Sequence, residues 1–541
     1  MILFENMSVT YPDQDHPALD GVELKIGEGE LALVIGPTGA GKTTLLRSVN
    51  GLVPHFSGGR LTGRVLVEGR STSDHRPRDL ADVVGFVGQD PDATFVADIV
   101  EDELAYSMEN LGLSAPTMRR RVEDVLDILN LHALRQRAIM SLSGGQRQRV
   151  AIGAVLTAAP RLLVLDEPTS SLDPISAEEV LAALSRLVHD QGVTIVVAEH
   201  RLERIVHAAD VIVHVPGAPG GVRSGTPAEM LAISSVAPPI VRLARVARWD
   251  PIPLSVRDAR RLAPGLLRRL PASPNSGRRP SPTKGPVVAS VRRLAARYGR
   301  LLALDDITLD LAAGEVTAVM GRNGAGKSTL LRHLVGLRSP QQGTVTVAQR
   351  KPSALRPAEA ARLVGLVPQD PASMLSADSV AVECTDADHD ASLAPGSTRA
   401  ALERLMPGLR DDMHPRDLSE GQRLALALAI VLAPAPPLIL LDEPTRGLDY
   451  IAKARLTTML RNLAHDGHSV VLATHDVELV ADAADRVVVL ADGEIITDGP
   501  TREVVCHSPG LASQVARILA PAPWLTVAEV ESALTAPRSE P

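Results

Sequence analysis

The sequence is poor in several things, and each absence narrows what the chain can do. Among 541 residues there are only two cysteines, Cys384 and Cys506, with no metal-ligand spacing around them and no capacity for a disulfide framework. They read as incidental thiols of a reducing compartment. Aromatic residues amount to 2%, so a core must be built from Val, Leu, Ile and Ala, which the 45% hydrophobic content permits. Nowhere do about 18 apolar residues run together, as a membrane-spanning helix requires. The longest apolar runs, such as 162–165 and 438–441, have strand length. The opening MILFENMSVTYPD lacks the basic and apolar regions of a signal peptide. A soluble chain is therefore expected, and any membrane process it serves requires another chain to span the bilayer. The net charge of −8 argues against bulk electrostatic attraction to nucleic acid, while leaving room for a local basic patch.

What the sequence does contain is a repeat. Residues 36–43, GPTGAGKT, recur 285 residues later as GRNGAGKS at 321–328. DEPT at 166–169 recurs 276 residues later at 442–445, and QDP at 89–91 recurs 280 residues later at 369–371. The order is the same in both halves, and chance does not produce an ordered set. Each half reads as strand, glycine-rich loop, helix, then further strands and helices. The fold class expected is α/β, with short buried parallel strands. The divisions expected are a first domain over 1–270, ending in short basic amphipathic helices after Ile240; a Pro-, Arg- and Ser-rich linker over 271–286; a second domain over 287–519; and a poorly ordered tail over 520–541.

A GxxxxGK[ST] loop directly after an apolar strand surrounds phosphate oxygens with backbone N–H groups, and the helix that follows adds its positive end. Gly36, Gly39 and Gly41 supply the turn in the first half, and Gly321, Gly324 and Gly326 in the second. Lys42 and Lys327 are expected to reach the β- and γ-phosphates, and Thr43 and Ser328 to coordinate Mg²⁺ through their hydroxyls. Thr44 and Thr329, next in each helix, are counted with the ATP-binding residues. Asp166 and Asp442 end apolar strands, where an acid can hold Mg²⁺ through water. Glu167 and Glu443 follow, placed to orient and activate an attacking water as general bases.

The run LSGGQ at 142–146 brings the sequence to a known family: it resembles the ABC ATPases, whose signature it matches. The resemblance implies two P-loop NTPase nucleotide-binding domains in tandem, each with a mostly parallel sheet and a helical subdomain. It also implies that the signature of one domain closes over ATP held by the other. Ser143, Gly144, Gly145 and Gln146 then face the second phosphate loop. Ser419, Gly421 and Gln422 of LSEGQ face the first, where Glu420 departs from the pattern. Gln89 and Gln369 resemble the family's Q-loop, at the Mg²⁺ and water site. Asp173 and Asp449 resemble its D-loop, and His200 and His475 its switch histidine beside the γ-phosphate. Tyr11 and Tyr298 resemble its adenine-stacking aromatic. Glu420 is expected either to set its charge near the phosphates of the first site and weaken closure there, or to turn outward.

The segments VGFVGQDPDATFVADIVEDELAYSMEN (84–110) and VVAEHRLERI (196–205) are similar to the tandem ATPases of energy-coupling factor transporters. That similarity implies a transmembrane coupling protein and a small substrate-binding membrane protein as partners, a vitamin or transition-metal ion as cargo, no nucleic acid, and a peripheral position on the cytoplasmic face of the cell membrane. It is also compatible with the two halves pairing within one chain. Asp98, Glu101, Asp102 and Glu103 read either as a docking face for a basic partner or as a solvated helix face. The basic run from Arg242 to Arg279 reads as helix surface and linker, or as a strip near anionic headgroups. Two other functions fit a tandem ABC protein: a ribosome-binding translation factor, and a sugar-importer ATPase. The Pro-rich linker and acidic net charge fit the first poorly.

Overall fold

The computed structural model describes residues 1–12, 16–170, 172, 174–217, 220–274, 285–299 and 301–535. Its contacts divide into two units, Met1–Arg245 with Trp249–Ser255, and Val256–Pro541 with Val246–Arg248. Most of the expected linker lies outside the described residues.

Each unit follows one plan. In the first, the strands Val84–Val87, Leu162–Asp166, Thr194–Ala198, Leu31–Ile35, Val211–His214 and Arg223–Gly225 lie side by side in that order, all parallel except the last. In the second, Val364–Val367, Leu438–Asp442, Ser469–Ala473, Val316–Met320, Arg486–Ala491 and Glu494–Pro500 repeat the arrangement. The apolar runs of the sequence are continuous because these strands are covered on both faces. Ile439 and Leu441 enter one core of the second unit, and their neighbours Leu438 and Leu440 enter the other.

An antiparallel sheet covers each phosphate-loop helix. In the first unit it comprises Leu19–Ile26, Ile2–Thr10, Arg60–Val67 and Arg70–Ser71; in the second, Leu301–Ala312, Val287–Tyr298 and Gln342–Val347. The strands Ile2–Thr10 and Val287–Tyr298 are irregular, with register shifts at more than one place. Asn6 and Arg293 adopt left-handed backbone, at φ 47° and 49°. The register shifts there, so Ile2, Phe4, Met7 and Val9 all face the core, as do Ala289, Val291, Leu294 and Ala296. A three-helix layer completes each unit: Val100–Asn110, Ala115–Ile128 and Gly144–Leu156 in the first, Val380–Ala391, Ser397–Leu405 and Glu420–Leu432 in the second. No helix among the described residues is long and apolar enough to cross a membrane. Burial pushes the Cys384 thiol up to about 11, as suits an unreactive packing residue.

Two boundary expectations differ from the structure. The helix Val256–Leu267 groups with the second unit, not the first, and packs against Gln514–Leu519; Arg260 Nε donates to the Arg517 carbonyl at 2.7 Å. Its apolar stripe of Ala259, Ala263 and Leu266 is legible in sequence, but a stripe does not name the surface it covers. The segment after Leu519, expected to be poorly ordered, is built into the second unit as far as residue 535. Trp524 and Leu525 are fully buried, Ser513 Oγ donates to the Leu525 carbonyl at 2.7 Å, and Arg502 pairs with Glu529 at 2.7 Å. The helix Val527–Thr535 follows. Residues 536–541 lie outside the described residues. Truncation after Leu519 is therefore expected to lower the unfolding midpoint of the second unit, and Trp524→Ala alone to cost about 3–5 kcal/mol. Chemical denaturation of the full chain checks this; an unchanged midpoint on truncation shows the tail to be dispensable.

Candidate nucleotide sites

The strand Leu31–Ile35 feeds directly into a loop of glycines and then the helix Lys42–Val49. Gly41 sits at φ 99° beneath the Ala18 carbonyl, where a Cβ would approach the oxygen to 2.8 Å. Gly326 sits at φ 102°, and a Cβ there would lie 2.5 Å from the Ala303 oxygen. Both loops are thus fixed by left-handed backbone and close packing at one glycine. Inside them, Lys42 Nζ donates to the carbonyls of Gly36 and Pro37, each at 2.9 Å. Lys327 Nζ donates to Gly321 at 2.7 Å and Arg322 at 3.2 Å. Each ammonium is buried and donates to carbonyls of its own loop, which places a positive charge where the loop turns.

The neighbouring strands deliver the acids. Asp166 pairs in register with Ala198, and Asp442 with Ala473, so each acid pair sits beside the segment carrying His200 or His475. Burial pushes the Asp166 carboxyl above its ordinary range; the Thr43 hydroxyl, hydrogen-bonded to it, opposes the shift, and the Glu167 charge adds to it. Asp442 behaves alike, raised by burial against the Ser328 hydroxyl. Asp442 Oδ1 is buried without a hydrogen-bond partner. A hydroxyl and an unsatisfied carboxylate oxygen beside a phosphate loop fit Mg²⁺, which takes one or two protein oxygens and completes its shell with phosphate and water. Among the described residues no group of three His, Cys, Asp or Glu side chains stands together as a metal cage.

Glu167 and Glu443 share a backbone feature that the sequence does not announce. Both are left-handed, at φ 53° and 49°, a conformation uncommon for a non-glycine residue. Glu167 Oε1 lies 2.7 Å from His200 Nε2, and its Oε2 accepts from Gln89 Nε2 at 3.2 Å. Glu443 Oε2 lies 2.9 Å from His475 Nδ1, off the line of a formed N–H···O bond, and Oε1 lies 3.6 Å from Lys327 Nζ. Burial pushes the Glu443 carboxyl up, but His475 and Lys327 outweigh it and hold the group below its usual range. Each unit therefore gathers a Lys, an Asp, a Glu and a His at one end of its parallel sheet. Gln89 joins the first set. Gln369 follows the corresponding strand, Val364–Val367, in the second.

The remaining candidates are placed as follows. Ser143 and Ser419 cap the helices Gly144–Leu156 and Glu420–Leu432, each accepting from the backbone of Gln146 or Gln422 at 3.3 Å; Gly144 and Gly421 are half-buried at these helix starts, and Gly145 is buried. Asp449 caps the helix Tyr450–His465, accepting from Ala452 N at 2.7 Å. Asp173 lies outside the described residues. Tyr11 Oη lies 3.2 Å from Thr44 Oγ1, whereas the Tyr298 ring is covered by the Arg338 guanidinium, 4.2 Å from its centroid. Glu420 does not project an unopposed charge: Arg423 Nη1 meets it at 2.8 Å. The corresponding Arg147 of the first unit instead pairs with Asp92 at 2.8 Å, tying the signature helix to the segment after Gln89. The acidic cluster is also partly engaged. Glu103 accepts from the backbone of Val96 and Ala97, as Glu383 does from Ser376 and Ala377, and Glu101 pairs with Arg135 at 2.5 Å. Asp98 and Asp102 face solvent.

For a carboxyl whose folded-state pKa is raised, the stability it contributes is present below the unfolded value and is lost as pH rises through the folded one. Asp166→Asn and Asp442→Asn are accordingly expected to raise the thermal midpoint of nucleotide-free protein at pH 7, with the gain disappearing toward about pH 4, where the unfolded carboxyl also protonates. Thermal scans across pH check this; variants no more stable than the parent at pH 7 contradict burial as the dominant influence.

The family model described as ABC transporter matches residues 19–170 and 304–446. A protein of Streptomyces avermitilis bearing the name ABC transporter ATP-binding protein is 56% identical, over 99% of this chain and 100% of its own length. One of Methanosarcina mazei with the same name is 35% identical, over 93% of this chain and 90% of its own. Among solved structures, a model of ribosome-bound archaeal Pelota and ABCE1 matches with a TM-score of 0.63 and 21% identity, over 93% of this chain and 82% of that one. At that identity the likeness shows the fold alone. With the phosphate loops, strand-end acids and signature helices duplicated across its length, the chain belongs to the ABC transporter family and is a tandem, ATP-binding ABC ATPase.

Proposed function

We propose that the chain is the ATP-hydrolysing subunit of a membrane importer of the energy-coupling factor type, working from the cytoplasmic face for a vitamin or a transition-metal ion. The observation that carries the ATPase role is the Lys, Asp, Glu and His set gathered in each half around a phosphate loop. A transporter role is supported by the names of relatives matched over 100% and 90% of their own length, and the importer class by the similarity of 84–110 and 196–205 to those transporters. The exposed Val96 and Tyr106 beside Asp98 and Asp102 suit a surface that a membrane partner covers.

In this reading Lys42 and Lys327 neutralise the phosphates, and Glu167 and Glu443 orient the attacking water and accept its proton. His200 and His475 hold those carboxylates and contact the γ-phosphate. Thr43 with Asp166, and Ser328 with Asp442, would hold Mg²⁺, with Gln89 and Gln369 near the water; the ion would supply charge neutralisation to the phosphates. Tyr11 and Tyr298 stack the adenine, and Asp173 and Asp449 border the paired sites. Ser143, Gly144, Gly145 and Gln146 close over the second loop, and Ser419, Gly421 and Gln422 over the first, so that ATP binding draws the two halves together and hydrolysis releases them.

A Glu167→Gln, Glu443→Gln double variant is expected to bind ATP, lose turnover by at least about a hundredfold, and compact on ATP addition. Small-angle scattering and an ATPase assay check this; an unchanged radius of gyration with ATP bound contradicts closure. Reversing Asp98 and Asp102 to Lys is expected to weaken co-purification with small integral membrane proteins. Recovery with ribosomes in place of membrane proteins supports a translation role instead.

A further inference from the structure

Glu199 takes no part in the mechanism above, yet it is 2% exposed and immediately precedes His200. Its carboxylate is fully occupied. Oε2 accepts from Thr169 Oγ1 at 2.6 Å and Thr169 N at 3.3 Å, while Oε1 accepts from His200 N at 2.9 Å and Arg201 N at 3.3 Å. A buried carboxylate held by four donors is a fastener between two segments, here the turn after Glu167 and the segment carrying the switch histidine.

The second half lacks this part. The strands Thr194–Ala198 and Ser469–Ala473 end at matching alanines, and the residue after Ala473 is Thr474. Thr445, the counterpart of Thr169, has a buried hydroxyl with no hydrogen-bond partner. The His475 N–H is met by Glu443 itself, at 3.3 Å. The peptide capped by Glu199 in the first half is thus capped by the catalytic glutamate in the second. Glu167, relieved of that duty, gives its two oxygens to the His200 ring and to Gln89.

We propose that Glu199 is a positioning residue of the first ATP site: by holding the His200 peptide to Thr169 it keeps both oxygens of Glu167 directed at Gln89 and the His200 ring, a division of labour absent from the second site. The proposal rests on the first site being hydrolytic, which the parent variant tests separately.

The experiment uses the full chain with Glu443→Gln, so that turnover reports the first site. That parent is expected to hydrolyse ATP and to stop when Glu167→Gln is added; a parent without turnover overturns the hydrolytic reading of the first site and this role with it. On the active parent, Glu199→Thr, which installs the residue of the second half, is expected to lower kcat about tenfold with KM for ATP within about twofold. Glu199→Gln keeps an oxygen for the His200 and Arg201 N–H groups and is expected to stay within about threefold of the parent. A Glu199→Thr chain that retains kcat, a Gln variant that falls as far as Thr, or a kcat loss matched by KM and by the unfolding midpoint overturns the assignment. Should the Thr variant not fold, Thr169→Val carries the same test. It is expected to lower first-site kcat about threefold, whereas Thr445→Val on a Glu167→Gln parent leaves second-site kcat within about twofold, because that hydroxyl fastens nothing. Equal effects of the two valine variants contradict the proposal.

Discussion

Each half of this protein depends on one constraint: three adjacent parallel strands must end at the same level. The strand that feeds the phosphate loop lies next to the one that ends shortly before His200 or His475, and that one lies next to the strand ending in the acid pair. Register does the rest. Val34 pairs with Ala198, and Asp166 pairs with the same Ala198, so the loop, the carboxylates and the imidazole arrive together at the carboxyl edge of the sheet. Parallel strands packed into a core on each face resist slipping, because a one-residue shift would exchange the side chains of the two cores and break the close packing of both. The chemistry is positioned by aliphatic packing that takes no part in it.

On that common frame the halves have diverged in how they tie the moving parts. The first half uses more fasteners between segments: Glu199 joins Thr169 to the His200 peptide, and Arg147 joins the signature helix to Asp92. In the second half Ala372 stands at the position of Asp92, and Arg423 folds back onto Glu420 of its own helix. Glu420, which breaks the signature pattern, is therefore half of a local exchange of carboxylates around one arginine. The charge that the sequence suggests as a repulsive intruder is paired on its own helix, although ion pairs this exposed contribute little to stability.

Much of this was legible in the sequence, and for a physical reason. Phosphate loops, strand-end acids and signature helices are local: a few adjacent residues set the backbone, so Lys42, Asp166, Ser143 and their counterparts announce themselves. The features that escaped depend on contacts between distant segments or on backbone dihedrals. The left-handed turn at Glu167 and Glu443 has no composition cue. The irregularities at Asn6 and Arg293 break the period of two that marks a strand, which blurs the pattern in both antiparallel sheets. The helix Val256–Leu267 shows an apolar stripe but not its partner. Trp524 sits in a Pro- and Ala-rich stretch whose composition imitates a loose tail. Glu199 was visible as a residue of the EHR run, but its role as a fastener follows only from the burial of Thr169 beside it.

The proposed function requires one chain to bind ATP at two distinct phosphate loops, and nucleotide stoichiometry tests it most directly. Equilibrium dialysis with ATP and Mg²⁺ on the hydrolysis-deficient full chain is predicted to give two ATP per chain, falling to one with either Lys42→Ala or Lys327→Ala. One ATP per chain before either lysine is changed, or binding that neither substitution reduces, would contradict it.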